Sequence, residues 1–206
     1  MEPLRSRRYP KARVDGTSVR TFVPGAEAGA GDYEPGDFIL THGRSFFSRL
    51  IRFGQGLWFW GPDRTYAWWS HVALIVSPGG DIVEAVGAGV KRAHISKYGQ
   101  TDYQLVTLGA LASPADRVQA TTYAEWALGQ KYGYLTIISI TISLLVGGRF
   151  TFGYDGQSIC SGLVARALER TSAIFDRSPS HIMPADLAKY FKAAPAAGAK
   201  RGYVPK

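Results

Sequence analysis

Three side chains suited to nucleophilic acyl chemistry stand far apart along this chain: Cys160, the only cysteine in 206 residues, together with His71 and Glu84. A thiol becomes a strong nucleophile when a base takes its proton, and the base works best when a third group fixes its orientation. Cys160 lies in "QSICSGLVARALER", where positions 160, 163, 164, 167 and 168 are Cys, Leu, Val, Ala and Leu. That spacing predicts a helix whose inward stripe carries the sulfur. At the start of a helix, unpaired backbone N–H groups and the positive end of the dipole favour a thiolate. The N–H groups of Cys160 and Ser161 are candidates for receiving an oxyanion there. Viewed alone, the helix admits a plainer role for Cys160, that of a small, inert core residue.

A base is offered by "SHVALIVSPGGDIVEAVGAGV", which reads as two β-rich runs joined through Ser77-Pro78-Gly79-Gly80. An even-numbered connection places His71 on one face with Ile82, Glu84 and Val86, whereas an odd one separates His71 from Glu84. With residue 76 opposite residue 81, Glu84 faces Ala73 and becomes the diagonal neighbour of His71. Val72, Leu74, Val76, Val83 and Ala85 are apolar, so both faces are expected to be covered. A histidine and a carboxylate in such a sheet need partners. Backbone groups or solvent at strand ends are the alternative to a catalytic pairing. Of the other histidines, His42 ends a strand and could approach the same face, while His94 and His181 lie in polar stretches that suit structural or exposed roles.

The elements that must position these groups follow from local pattern. Pro35 and Gly36 turn the chain into a strand over Phe38 to Thr41. "RSFFSRLIRFGQG" predicts a short amphipathic helix through Phe46, Phe47, Leu50, Ile51 and Phe53, ended by Gly54 and Gly56. "GLWFWGPDRTYAWW" holds four of the five tryptophans in a loop-like context that either packs on the core or lines a groove. Trp68, Trp69 and Tyr134 are the substrate-binding candidates. "YQLVTLG" predicts another strand, and Ser113 with Pro114 caps a helix running toward Gly129. The uncharged stretch from Tyr132 to Gly148, 17 residues, falls short of a comfortable membrane span and is diluted by Thr136, Ser139, Thr141 and Ser143. A buried helix or strand is expected there, with a membrane-dipping element as the alternative. Pro184 opens a last helix.

A composition of 46% apolar and 13% aromatic residues suits one folded domain. Residues 1–34, with Pro10, Pro24, Gly25, Gly29 and Gly31, read as an extended basic arm; 35–193 as the domain; 194–206 as a basic tail. A single cysteine excludes an intramolecular disulfide and any zinc site built from several thiolates. "GAGVK" lacks the spacing of a phosphate-binding loop, and neither metal nor cofactor is expected. The formal charge of +8 resides at the ends: residues 1–20 hold six Arg/Lys against two acids, and residues 189–206 hold five against none. Such ends are either simply solvated or attract anionic lipid, acidic protein or nucleic acid. Paired finger spacing and aromatic RNP-type strands are absent, so no specific nucleic-acid partner is expected. The basic opening residues precede no apolar run of a secretory signal, which implies a cytoplasmic or virion-associated setting.

The order of "PGDFIL", a short helix, "WSHVALIV", "DIVEAVGAGV", "YQLVTL" and "SICSGLVARAL" resembles the circularly permuted branch of the NlpC/P60 papain-like superfamily. This is the YiiX/YaeF-like group, related to lecithin:retinol acyltransferase-like enzymes. The resemblance spans about residues 35 to 190 and implies an α+β, papain-like fold: an antiparallel sheet packed against helices, one bearing the cysteine. It implies Cys160 as nucleophile, His71 as base and Glu84 as polar third member. The implied activity is hydrolysis of an amide or peptide bond through an acyl-enzyme, with cell-wall peptides among the substrates of relatives. A lipid ester or acyl thioester is the alternative substrate, with contact to a membrane surface, and a non-catalytic structural module is the alternative class. The tryptophan-rich loop and the apolar 132–148 segment depart from the family pattern and leave the substrate open.

Overall fold

The structure, a computed structural model, describes residues 16–43, 45–132, 157–158, 160–171, 173, 175 and 178–195. A six-stranded antiparallel sheet runs in the order β1-β6-β2-β3-β4-β5. Its strands are β1 (Ser18–Phe22), β2 (Phe38–Thr41), β3 (His71–Ile75), β4 (Asp81–Val86), β5 (Gly89–His94) and β6 (Tyr103–Thr107). A parallel pair of short strands, β7 (Lys131–Tyr132) and β8 (Gln157–Ser158), forms a second sheet, and Gly129 and Gln130 just before it hydrogen-bond Val90 of β5. Helices α1 (Phe46–Trp58), α2 (Pro114–Trp126), α3 (Cys160–Leu168) and α4 (Pro184–Tyr190) complete the mixed helix and antiparallel-sheet architecture.

The two faces of the sheet bury separate apolar sets, as alternation along each strand requires. Phe38, Leu40, Val72, Leu74, Val83, Ala85, Val106 and Leu108 form one core with Leu163, Val164 and Leu168 of α3 and Leu187 of α4. Ile39, Ala73, Ile75, Ile82, Tyr103 and Leu105 form the other, covered by Ala28, Tyr33 and Ile95. The hairpin register matches the expectation for an even connection. Leu74 pairs with Val83 and Ile75 with Ile82, and Val76 N–H donates to Asp81 at 2.8 Å, so four residues close the loop. Gly80 takes a φ of +93° in this loop, a conformation that suits glycine.

Four expectations need correction or extension. The stretch expected to be an extended arm contributes β1, which pairs along its whole length with β6, and Phe22 stacks on Tyr103 at 4.9 Å. Glycines there punctuate turns around a strand whose ladder hydrogen bonds decide its state. Helix α1 passes through Gly54 and Gly56 to Trp58. Glycine costs a helix only about 1 kcal/mol, and here the fully buried Gln55 ties the helix in place. Its amide donates to the Trp69 carbonyl at 2.8 Å and accepts from Ala185 N–H at 2.9 Å. The predicted one-sided stripe of α3 is wider in fact, for every residue from Cys160 to Leu168 except Arg166 is buried. Ser161, Gly162 and Ala165 are small enough to let neighbours close over the outer side, and the Ser161 hydroxyl donates to the Ile182 carbonyl. Finally, "GVKRAH" is a separate strand, β5, with exposed Lys91 and Arg92 on a sheet edge. Basic side chains are a common guard on such an edge.

Helix α2 begins as its sequence predicts, with a reciprocal capping box between Ser113 and Asp116 and Pro114 in the first turn. Among the described residues, no helix is long and apolar enough to cross a membrane. The 132–148 stretch, apart from Tyr132, lies outside the described residues, as do most of the two basic ends.

Candidate active site

Glu84 sits in the middle of β4, opposite Lys91 of β5, with 1% of its side chain exposed. An unpaired carboxylate in that position would be costly, and β3 together with the turn after β5 supplies three donors. His71 Nε2 lies 2.7 Å from Glu84 Oε2. Tyr98 donates its phenol to the same oxygen, and Lys97 donates to Oε1. Burial by itself would raise the Glu84 carboxyl; His71, then Lys97 and Tyr98, outweigh it and hold the group at about 2. Glu84 is therefore ionised throughout the neutral range.

His71 opens β3, with its side chain 15% exposed. The diagonal placement that the register predicts is realised, because His71 and Glu84 meet across the hairpin. With Nε2 turned to Glu84, Nδ1 is the ring atom left for the thiol. Cys160 opens α3, which packs on the Val72 and Leu74 face of the same strand. The sulfur and the imidazole stand close enough for each to shift the titration of the other, and the backbone N–H groups of Val72 and Ser161 favour the ionised sulfur. Burial would push His71 down; the Cys160 charge and hydrogen bond, followed by those of Glu84, raise it instead to about 9. For Cys160, burial would raise the thiol, but the His71 charge and hydrogen bond, then the two N–H groups, bring it below its ordinary value. The two shifts favour the same pairing, a thiolate beside an imidazolium.

The other sequence candidates divide. Trp69 is 1% exposed and donates its indole N–H to Ala193 at 2.8 Å. It packs in the core with its one polar atom spent on Ala193, which corrects its assignment as a binding residue. Trp68 remains partly exposed and stacks on His42 at 3.9 Å. Tyr134 lies outside the described residues. Of the two oxyanion candidates, the Ser161 N–H is directed at the sulfur. Cys160, as the first helical residue, has an N–H with no acceptor within its own helix. His42 holds the Trp68 carbonyl and Arg52, and His94 braces the turn after β5, so both serve local structure.

Lys97, Tyr98 and the Val72 N–H were not anticipated from sequence. The first two lie in "HISKY", whose meaning depends on β5 returning beside β4. The short Gly87-Ala88 turn directly after the β-rich run was the available sign of a returning strand.

No protein-family model matches the chain, and a search of curated proteins finds no match.

Proposed function

We propose that this protein is a cysteine hydrolase of amide or peptide bonds, built on a permuted NlpC/P60-type papain-like frame. The observation that carries the reading is the meeting of Cys160, His71 and Glu84, which come from two adjacent strands and a helix start and form a charge-paired chain. The histidine strand precedes the cysteine helix along the chain, the order that the family resemblance implies.

In this mechanism the Cys160 proton already resides on His71, and the thiolate sulfur attacks the substrate carbonyl carbon. The carbonyl π electrons move to oxygen, which backbone N–H groups at the start of α3 receive. Collapse of the intermediate breaks the C–N bond as the imidazolium hands its proton to the leaving amine. Water, deprotonated by His71, then attacks the thioester, the C–S bond breaks, and the acid leaves behind the Cys160 thiolate beside the reprotonated His71. Glu84 remains ionised and orients the ring in every step.

A second reading keeps the same chemistry on a lipid ester. It draws support from Phe53 and Trp60, which expose 56% and 71% of their surface near the end of α1. Intact-mass analysis after brief exposure to a mixed pool of peptides, acyl amides and lipid esters separates the readings. The expected result is an acyl adduct drawn from the peptides or amides and absent in Cys160→Ala. An adduct drawn only from the lipids replaces the first reading with the second, and the lack of any adduct removes both.

A further inference from the structure

We infer that the helical turn Ile95–Tyr98 is a positioning device for His71, with Lys97 and Tyr98 clamping both oxygens of Glu84 so that the carboxylate can serve the imidazole in one orientation only. The inference rests on the acyl-transfer reading above, because it gives the clamp a catalytic purpose.

The geometry carries the argument. A carboxylate with one partner can turn about its last bond and take the imidazole with it. Here Lys97 occupies Oε1, while Tyr98 and His71 share Oε2, so rotation would break two charge-assisted hydrogen bonds. The clamp is itself anchored to the loop that sets the hairpin register. Ile95, 3% exposed, donates its N–H to the Gly80 carbonyl at 2.9 Å. His94 Nε2 bonds the Gly79 carbonyl at 2.8 Å, leaving Nδ1 to accept from Ser96 N–H at 3.2 Å. A side-chain carbon added at Gly80 would come within 2.9 Å of the His94 ring, so the loop packs closely against the turn. Lys97 also lies 5.3 Å from the Tyr98 ring centre, which links the two arms of the clamp.

Lys97 has a second consequence. The ionisable groups around Glu84 are His71 from β3, Lys91 opposite it on β5, Lys97 and Tyr98 from the turn, and Cys160 beyond His71. Lys97 and the protonated His71 compete for one negative charge. The competition moderates the hold on the imidazolium, which helps it surrender a proton to the leaving amine. Lys97 is a positioning residue in this sense, and its side chain is 49% exposed, so its removal should be structurally mild.

The test is nuclear magnetic resonance titration of the His71 ring in the full-length chain, with Lys97→Met, Lys97→Arg and Tyr98→Phe beside the wild type. In Lys97→Met the His71 midpoint should rise by roughly 0.5 to 1 pH unit, as expected for removing one partly solvated cation nearby. Lys97→Arg should restore the wild-type midpoint. Tyr98→Phe should free the carboxylate to turn and broaden the Nε2 proton signal. A Lys97 that leaves Glu84 for solvent would leave the midpoint where it is. An elevated wild-type midpoint that none of the variants moves overturns the clamp and leaves the acyl-transfer reading standing. A wild-type His71 that titrates near its ordinary value overturns both. Should Tyr98→Phe not fold, the Lys97 pair alone decides the matter.

Discussion

His71→Ala should slow alkylation of Cys160 by iodoacetamide at pH 6 by at least about 100-fold, because a buried thiol without the imidazolium returns to an ordinary or higher value and holds well under 1% thiolate at that pH. The wild type should label readily under the same conditions, since His71 is held at about 9 and remains charged there. Two backbone donors, from Val72 and Ser161, also stay directed at the sulfur in the variant. They soften the loss without replacing a full positive charge. Equal labelling rates in the two proteins would mean that the imidazole does not activate the thiol. Circular dichroism of the variant guards against reading an unfolded chain as an inactive one.

Glu84→Ala should be the most destabilising change in the site, at about 3 to 5 kcal/mol, the range for removing one partner of a buried charge pair. It strands the His71 imidazolium and the Tyr98 phenol in a sheet with little water, whereas Lys97 can swing to solvent. A pH dependence accompanies it. The Glu84 carboxyl is lowered from 4.5 to about 2, so its contribution is fully present above about pH 4.5 and is lost as the pH falls toward 2. The shift corresponds to roughly 3 kcal/mol. Urea melts of the wild type should therefore weaken progressively over that interval, and the same interval should flatten in Glu84→Gln, which has no proton to take up there. A wild-type acid limb retained unchanged in Glu84→Gln would assign the effect to other carboxylates.

The hairpin was legible as two β-rich runs, but an odd-length loop stayed open from sequence; the four-residue loop of the structure, with a period of two, is what places His71 diagonal to Glu84. The cysteine helix was legible because its periodicity predicts which side faces inward. The full burial of α3 was not, since small residues such as Gly162 and Ala165 are silent in a polarity pattern until a neighbour closes on them. Strands β1 and β5 also escaped. Each is short, charged and at a sheet edge, where a side chain facing solvent resembles one in a loop. Missing β5 hid Lys97 and Tyr98, because nothing local in "ISKY" refers to a carboxylate that precedes it by 13 and 14 residues. The continuation of α1 through Gly54 and Gly56 depended on Gln55 finding partners at Trp69 and Ala185, which only the assembled chain provides.

The central claim is that Cys160 and His71 rest as a thiolate and an imidazolium, and the most direct measurement is the ultraviolet absorbance of the thiolate as a function of pH in the wild type against Cys160→Ala. The account predicts that the difference signal is already developed well below about pH 8.5, the ordinary thiol value, and that His71→Ala moves it upward. A difference signal that emerges only at or above that value, indifferent to His71, would contradict the account.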